Sequence, residues 1–394
     1  MSTSTSQLIE AVVDKYDDEL IELRREIHRH PELAWAESST SELAAHRVEQ
    51  AGWRVTRMPR SGFYAELGEG KRVVALRADM DALPIPDRTD DLWRSTVPDV
   101  THACGHDVHV SAMVGAALAL AEVHERGELR GTVRLLFQPA EEVMPGGAKH
   151  LIAQGALEGV ERVFALHCDP GVDVGKIGLR AGALTSAADR IEVWLEGTGG
   201  HTSRPHLTGD LTFALAKVTS ELPAVLSRRM DPRAGVSVVW GILRAGAAPN
   251  VIPEGGMAAG TVRILDAVAW AECEPIIREA VLDIVRPYGL TPTVDYLQGV
   301  PPVVNEPASN AVLAAAVLRV LGVKGQVSVP QSLGGEDFGW MLEQVPGAMF
   351  RLGTRTPGGA TYDLHQGDFR VDERAIAIGA RVQAEAVVGA LATP

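Results

Sequence analysis

The feature that most constrains this chain is an alternation of apolar strands and helices that stops near residue 184 and resumes after Val300-Pro301-Pro302. Leu8, Ile9, Val12, Val13, Leu20, Leu23 and Ile27 form a helical stripe that predicts one helix over 7–30, closed by Pro31. A second helix is expected over 38–51, stopped by Gly52. Strands follow at 53–58, 63–67 and 73–77, then a buried helix at 110–126, a strand at 132–138, a helix at 148–154 and a strand at 163–167. Such alternation predicts an α/β sheet of parallel strands. Between the two stretches the order is strand 191–195, helix 210–229, strands 235–243 and 256–264, helix 267–288 and strand 293–297. This βαββαβ order is that of a small α+β sandwich. Helices at 308–321, 336–343 and 372–391 and strands at 326–329 and 348–352 then resume the first pattern. The expected organisation is an α/β domain of residues 1–183 and 297–394, interrupted by an inserted α+β domain of residues 184–296.

Composition removes several function classes. With 37 Lys and Arg against 51 Asp and Glu, the formal charge is −14, and no basic cluster is present to track phosphates, so nucleic acid is not an expected partner. Three cysteines in 394 residues exclude a disulfide framework. Residues 1–7 show neither a basic nor an apolar leader region, and the apolar stretch at 110–121 is too short to span a bilayer. The expectation is a cytoplasmic globular protein with no membrane partner.

The densest chemistry is His102-Ala-Cys104-Gly-His106-Asp107-Val-His109, just ahead of the expected buried helix. Thiolate and imidazole in a Cys-x-His pair suit a divalent transition metal, although a histidine there also caps a helix. Glu141 and Glu142 follow an apolar strand, at the end where α/β folds place their sites. Adjacent carboxylates repel, and a metal ion is the simplest neighbouring positive charge. His167 ends another apolar strand, and His365 lies in a loop before the last helix. Cys104, His106, Glu142, His167 and His365 make five ligands, one more than a closed tetrahedral site uses, which suits two metals sharing a bridging group. Glu141 sits beside a ligand without being needed as one, the place of a general base. Zinc or manganese fits this donor set, with nickel or cobalt as alternatives.

These motifs resemble the M20 metallopeptidases, in particular their N-acyl-amino-acid amidohydrolase branch. The likeness runs in order through His30-Pro-Glu-Leu33, Leu76-Arg-Ala-Asp-Met-Asp-Ala-Leu-Pro84, His102–His109, Gln138-Pro-Ala-Glu-Glu142, Gly199-Gly-His201, Pro249-Asn-Val-Ile-Pro253, Gly335-Glu-Asp-Phe338 and Leu364-His365. It implies a di-metal aminopeptidase-like catalytic domain with an inserted ferredoxin-like dimerisation or lid domain, and a homodimer. It implies Cys104 as the bridging ligand, in the place where relatives in other branches use Asp, with His106 and His167 on one metal and Glu142 and His365 on the other. Glu141 would be the base, Asp81 would orient a ligand histidine, and His201 would polarise the scissile carbonyl, reaching the partner's site. Asn250 would assist His201, and Arg263 would clamp a substrate carboxylate. Thr202-Ser203-Arg204 departs from the small residues and Met of many relatives, and Arg204 either favours an anionic substrate or pairs with an acid.

The resemblance implies metal-assisted hydrolysis of N-acyl amino acids, with a dipeptidase or aminopeptidase of the same family as the rival. A thiol hydrolase built on Cys104 leaves Glu141, Glu142 and His365 without a role, and a non-catalytic binding protein leaves a complete ligand set unexplained. Plain readings serve elsewhere. His28, His46, His124 and His150 are expected to be solvated, Cys168 and Cys273 to pack, and Trp35, Trp93 and Trp340 to have ordinary roles. Asp79, Glu336 and Asp337 are candidates for supporting the ligands.

Overall fold

The computed structural model describes residues 4–392. They form two compact units. The first runs to Leu184 and continues through Val304–Pro330 and from Asp337 onward; the second is Thr185–Val303 with Gln331–Glu336. The first opens with α1 (Thr5–Lys15), α2 (Asp17–Arg29), α3 (Ser38–Gln50), β1 (Arg54–Arg57), β2 (Phe63–Gly68), β3 (Val73–Asp79) and α4 (His106–Glu125). It continues through β4 (Thr132–Gln138), α5 (Ala148–Ala153), β5 (Val160–Asp173) and β6 (Ile177–Leu179). The second holds β7 (Ala187–Glu196), α6 (Leu211–Arg229), β8 (Ser237–Ala245), β9 (Gly255–Ile264), α7 (Ala267–Val285) and β10 (Thr291–Val300). Back in the first come α8 (Pro307–Leu321), β11 (Gln326–Ser328), α9 (Gly339–Leu342), β12 (Gly347–Arg355) and α10 (Arg374–Ala392).

The first unit is built on an eight-stranded sheet in the order β1-β2-β4-β3-β5-β12-β6-β11. Its centre is parallel, but β1, β2 and β4 pair antiparallel, so the sheet is mixed where an all-parallel one was expected. The reason is local. β1 and β2 are joined by a short turn closed by Met58 N–H to Gly62 O, with Gly62 at φ 88°, and so short a connection can only return the chain antiparallel. β3 and β4 run in register from Val73 opposite Thr132 to Asp79 opposite Gln138, which brings their carboxyl ends side by side.

The expected helix over 7–30 is two helices, broken at Tyr16. Ser4 and Gln7 form a reciprocal capping box that starts α1, and Asp17, Asp18 and Glu19 supply an acidic first turn that starts α2. α4 begins at His106, four residues ahead of expectation, so His106 and His109 lie on the helix itself. It is buried on nearly every side, and a Cβ at Gly115 would lie 2.8 Å from both Ala380 Cβ and Leu20 Cδ1, so glycine is what lets α10 and α2 approach it. α10 is long and apolar enough to cross a membrane by composition, yet 67% of its apolar window is buried against its own unit. Of the helix expected over 336–343 only α9 forms.

In the second unit an antiparallel sheet, β8-β9-β7-β10, follows the βαββαβ chain order with α6 and α7 packed on it. Buried Asp189 on β7 ties the layers together by accepting from Tyr296 Oη at 2.5 Å, Trp270 Nε1 at 2.9 Å and Gly299 N at 2.8 Å. The unit runs past the expected limit of 296 because β10 extends to Val300, and it takes in 331–336 through Gln331 Nε2 to Thr185 O and Ser186 N to Gly334 O.

Candidate metal centre

The donor atoms of Cys104, His106 and His167 lie within 4.8 Å of one another, and so do those of Cys104, Glu142 and His365. Cys104 belongs to both groups. The five residues come from five places in the first unit: the loop before α4, its first turn, the segment after β4, the middle of β5 and the loop before α10. Gly105 makes the first junction. It caps α4 with φ 89°, and a Cβ there would sit 2.8 Å from Cys168 Sγ, so only glycine lets the chain reverse between Cys104 and His106.

Hydrogen bonds set which nitrogen each histidine presents. His106 Nδ1 donates to Asp81 O at 2.8 Å, which leaves Nε2 with the lone pair, buried and without a hydrogen-bond partner. His167 Nδ1 donates to Cys168 O at 2.7 Å, and its Nε2 faces Cys104 Sγ at 3.5 Å. His365 Nε2 lies 3.3 Å from Glu142 Oε1, which is 3.9 Å from His106 Nε2 and makes no hydrogen bond. Glu141 Oε2 stands 4.0 Å from His106 Nε2. His109, the third histidine of the motif, is fully used: Nδ1 donates to Asp79 at 2.5 Å and Nε2 accepts from Cys168 N at 2.9 Å.

The electrostatics ask for a cation. Burial pushes the Cys104 thiol well up, and the charges of Glu142, Glu141 and Asp79 push it further. Burial opposes protonation of His106, but Asp79 first and then Asp81 and Glu142 outweigh it and raise that imidazole to about 10. Burial and then Arg351 hold His167 well below its usual value, as a neutral ligand would be. Orphaned donor atoms, a thiol surrounded by carboxylates and histidines presenting Nε2 together fit divalent metal ions.

Asp81 lies against His106, with Oδ1 3.5 Å from Nδ1, and contacts the site in two further ways. Its backbone carbonyl orients His106, while its carboxylate accepts the N–H of Glu141 on Oδ1 and of Glu142 on Oδ2, both at 2.9 Å. Asp79 and Asp337 are joined by a buried arginine that was not among the sequence candidates. Arg77, fully buried on β3, reaches Asp79 at 2.6 Å, Asp337 at 2.7 Å and Gln138 Oε1 at 3.0 Å. A lone arginine inside an apolar strand two residues from an aspartate was the available signal. His28 is likewise not solvated: it is 3% exposed, with Nδ1 2.8 Å from Asp107 Oδ2, because α2 packs on α4. Trp35, Trp93 and Trp340 each lie under a cation, of Arg60, Arg25 and Lys149 respectively.

The remaining candidates belong to the second unit. His201 pairs with Val251 in a two-stranded ladder that sets Asn250 beside it. Ser203 N–H donates to His201 Nδ1 at 3.0 Å, so the neutral form of this exposed histidine carries its proton on Nε2. Arg263 is half-buried on β9; it donates to Leu333 O at 2.9 Å and has no carboxylate partner among the described residues. Arg204 is exposed and has no acid partner among them either.

The profile of peptidase family M20/M25/M40 matches residues 75–388. The chain belongs to that family. N-acetylcysteine deacetylase of Bacillus subtilis (strain 168) is 34% identical to this family member over 378 residues, covering 95% of this chain and 97% of the relative. A Rhodococcus jostii (strain RHA1) protein, provisionally named glutamate–cysteine ligase 2-3, is 44% identical over 367 residues; 93% of this chain matches, but it spans only 46%, about half, of that protein. Among solved structures, the Bacillus subtilis YXEP protein, described as a dinuclear metal binding peptidase from the M20 family, superposes with a TM-score of 0.84 at 31% identity, over 97% of this chain and 99% of the other.

Proposed function

We propose that this M20/M25/M40 member hydrolyses the amide bond of N-acyl amino acids, releasing a carboxylic acid and a free amino acid, with two divalent metal ions per subunit. The observation that carries the reading is the position of Cys104 within reach of both donor pairs, His106 with His167 and Glu142 with His365. The deacetylase named above is a relative over nearly its whole length, which supports the substrate class. When bound, divalent metal supplies Lewis acidity and brings the pKa of water toward about 7. Glu141 takes a proton from the attacking water and returns it to the leaving amine nitrogen. As the family resemblance implies, His201 serves the partner subunit's site, where its Nε2–H donates to the carbonyl oxygen as negative charge grows on it, with Asn250 assisting; Arg263, which has no carboxylate partner among the described residues, is assigned the substrate carboxylate. Arg204 adds a second positive group that favours anionic substrates. The thiolate and imidazoles favour zinc and the carboxylate admits manganese, with nickel or cobalt as substitutes.

Assembly as a homodimer is part of the proposal. It is supported by β8, an edge strand in its unit with Val239 62%, Ile242 41% and Leu243 54% exposed. Three buried cysteines without disulfides accord with a reducing, cytoplasmic setting.

The test is hydrolysis of a panel of N-acyl amino acids and dipeptides after chelation, then after adding back zinc, manganese, cobalt or nickel. Activity on the acyl amino acids, lost on chelation and restored by metal, is expected. Turnover of dipeptides alone would move the assignment to a dipeptidase, and turnover indifferent to chelation would end the metal reading.

A further inference from the structure

Glu141 and Glu142 are held by neither strand nor helix, because β4 ends at Gln138 and α5 begins at Ala148. Their backbone is fixed from outside. Three consecutive N–H groups, of Ala140, Glu141 and Glu142, all donate to carboxylates remote in sequence. Asp81 takes the last two. The first goes to Glu37 Oε1 at 2.7 Å, and the same oxygen accepts Trp35 N–H at 2.9 Å. Ala140 sits at φ 55° and Trp35 at φ 67°, a region that residues with a side chain rarely adopt. One oxygen therefore restrains two left-handed non-glycine residues. Glu37 is fully buried, and its Oε2 accepts from Ser61 Oγ at 2.7 Å. None of these partners is a cation.

We propose that Glu37 is a positioning residue for the Glu141–Glu142 turn: its Oε1 holds Ala140 left-handed and thereby sets the direction in which both following carboxylates leave the backbone. The proposal rests on the roles given above to Glu141 and Glu142. What the geometry uses is an acceptor oxygen with two lone pairs and not a charge. Glu37→Gln keeps that oxygen and turns its NH2 toward Ser61 Oγ, which accepts. Glu37→Ala removes both.

The experiment compares amide hydrogen exchange of residues 140–142 with kcat and KM in the wild type, Glu37→Ala and Glu37→Gln. In the alanine variant exchange of this segment is expected to rise about tenfold while β3 amides stay protected. Its kcat is expected to fall about 10²-fold with KM within about threefold, because the loss is one of alignment. The glutamine variant is expected to restore both. Unchanged exchange in the alanine variant, or a glutamine variant as damaged as the alanine one, would overturn the proposal. If the wild type turns over no acyl amino acid, the functional reading fails, while the exchange comparison still decides the role of Glu37. Should Glu37→Ala not fold, Ser61→Ala takes its place: it leaves Oε1 present but unbraced, exchange at 140–142 is expected to rise, and no rise would count against the proposal.

Discussion

Glu141 and Arg77 show two ways in which a single charged side chain matters here. Glu141 stands beside the donor cluster without belonging to either of the two groups that share Cys104. Glu141→Gln is therefore expected to retain the bound metal, by elemental analysis, while kcat falls about 10²- to 10⁴-fold, the span usual for a general base. Near-normal turnover would remove Glu141 from that role. Arg77 acts through stability. With Arg77, Asp79 and Asp337 all fully buried, deleting the cation leaves two carboxylates in a medium that cannot solvate them. Arg77→Met is expected to destabilise the protein by about 3–5 kcal/mol, read as a lower urea midpoint. A loss under about 1 kcal/mol would mean that water reaches these carboxylates.

At the scale of elements, the decisive junction is that between the Cys104 loop and α4. The helix N-terminus aims His106 at the cluster, and the left-handed Gly105 lets Cys104 face the same point two residues earlier. Gly105→Ala adds a conformational penalty of about 1–2 kcal/mol and places a methyl 2.8 Å from Cys168 Sγ. Lower thermal stability together with weakened metal binding is expected, measured by melting and by titration with zinc. Wild-type metal affinity in this variant would show that the loop tolerates another path. The same junction explains a sequence misreading: apolar periodicity starts the helix at 110, because His106 and His109 look polar until their buried partners Asp81, Asp79 and Cys168 are known.

The whole molecule is expected to assemble through strand β8. Strand β8 has one neighbour, β9, and presents Val239, Ile242 and Leu243 to solvent, the kind of edge that proteins either blunt with charge or cover with another strand. Sedimentation is expected to give twice the 42.0 kDa chain mass. Val239→Lys with Leu243→Lys is expected to give a monomer with its metal retained. A wild-type monomer, or a dimer unaffected by the two lysines, would place the interface elsewhere or nowhere.

Much of the fold was legible because hydrophobic period and turn residues are local properties: α3, β3, β4, β9 and α8 follow directly from them. The five candidate donors stood out too, since histidine, thiol and paired carboxylates beside apolar segments are unusual wherever the chain puts them. Their convergence was expected as well; the way each side chain is aimed was not. Which nitrogen His106 offers depends on Asp81 O, 25 residues away, and the aim of Glu141 and Glu142 depends on Asp81 and Glu37, 60 and about 100 residues away. Such partners are chosen by packing, because a buried N–H must find whatever acceptor the fold brings to it. His28 makes the same point in reverse: a histidine on an amphipathic helix looks solvated until α4 is packed on it. The sequence by itself determined the element types and the stock of reactive groups. Only the tertiary structure decided how those groups are aimed at their centre, because burial and hydrogen-bond pairing are properties of neighbours in space.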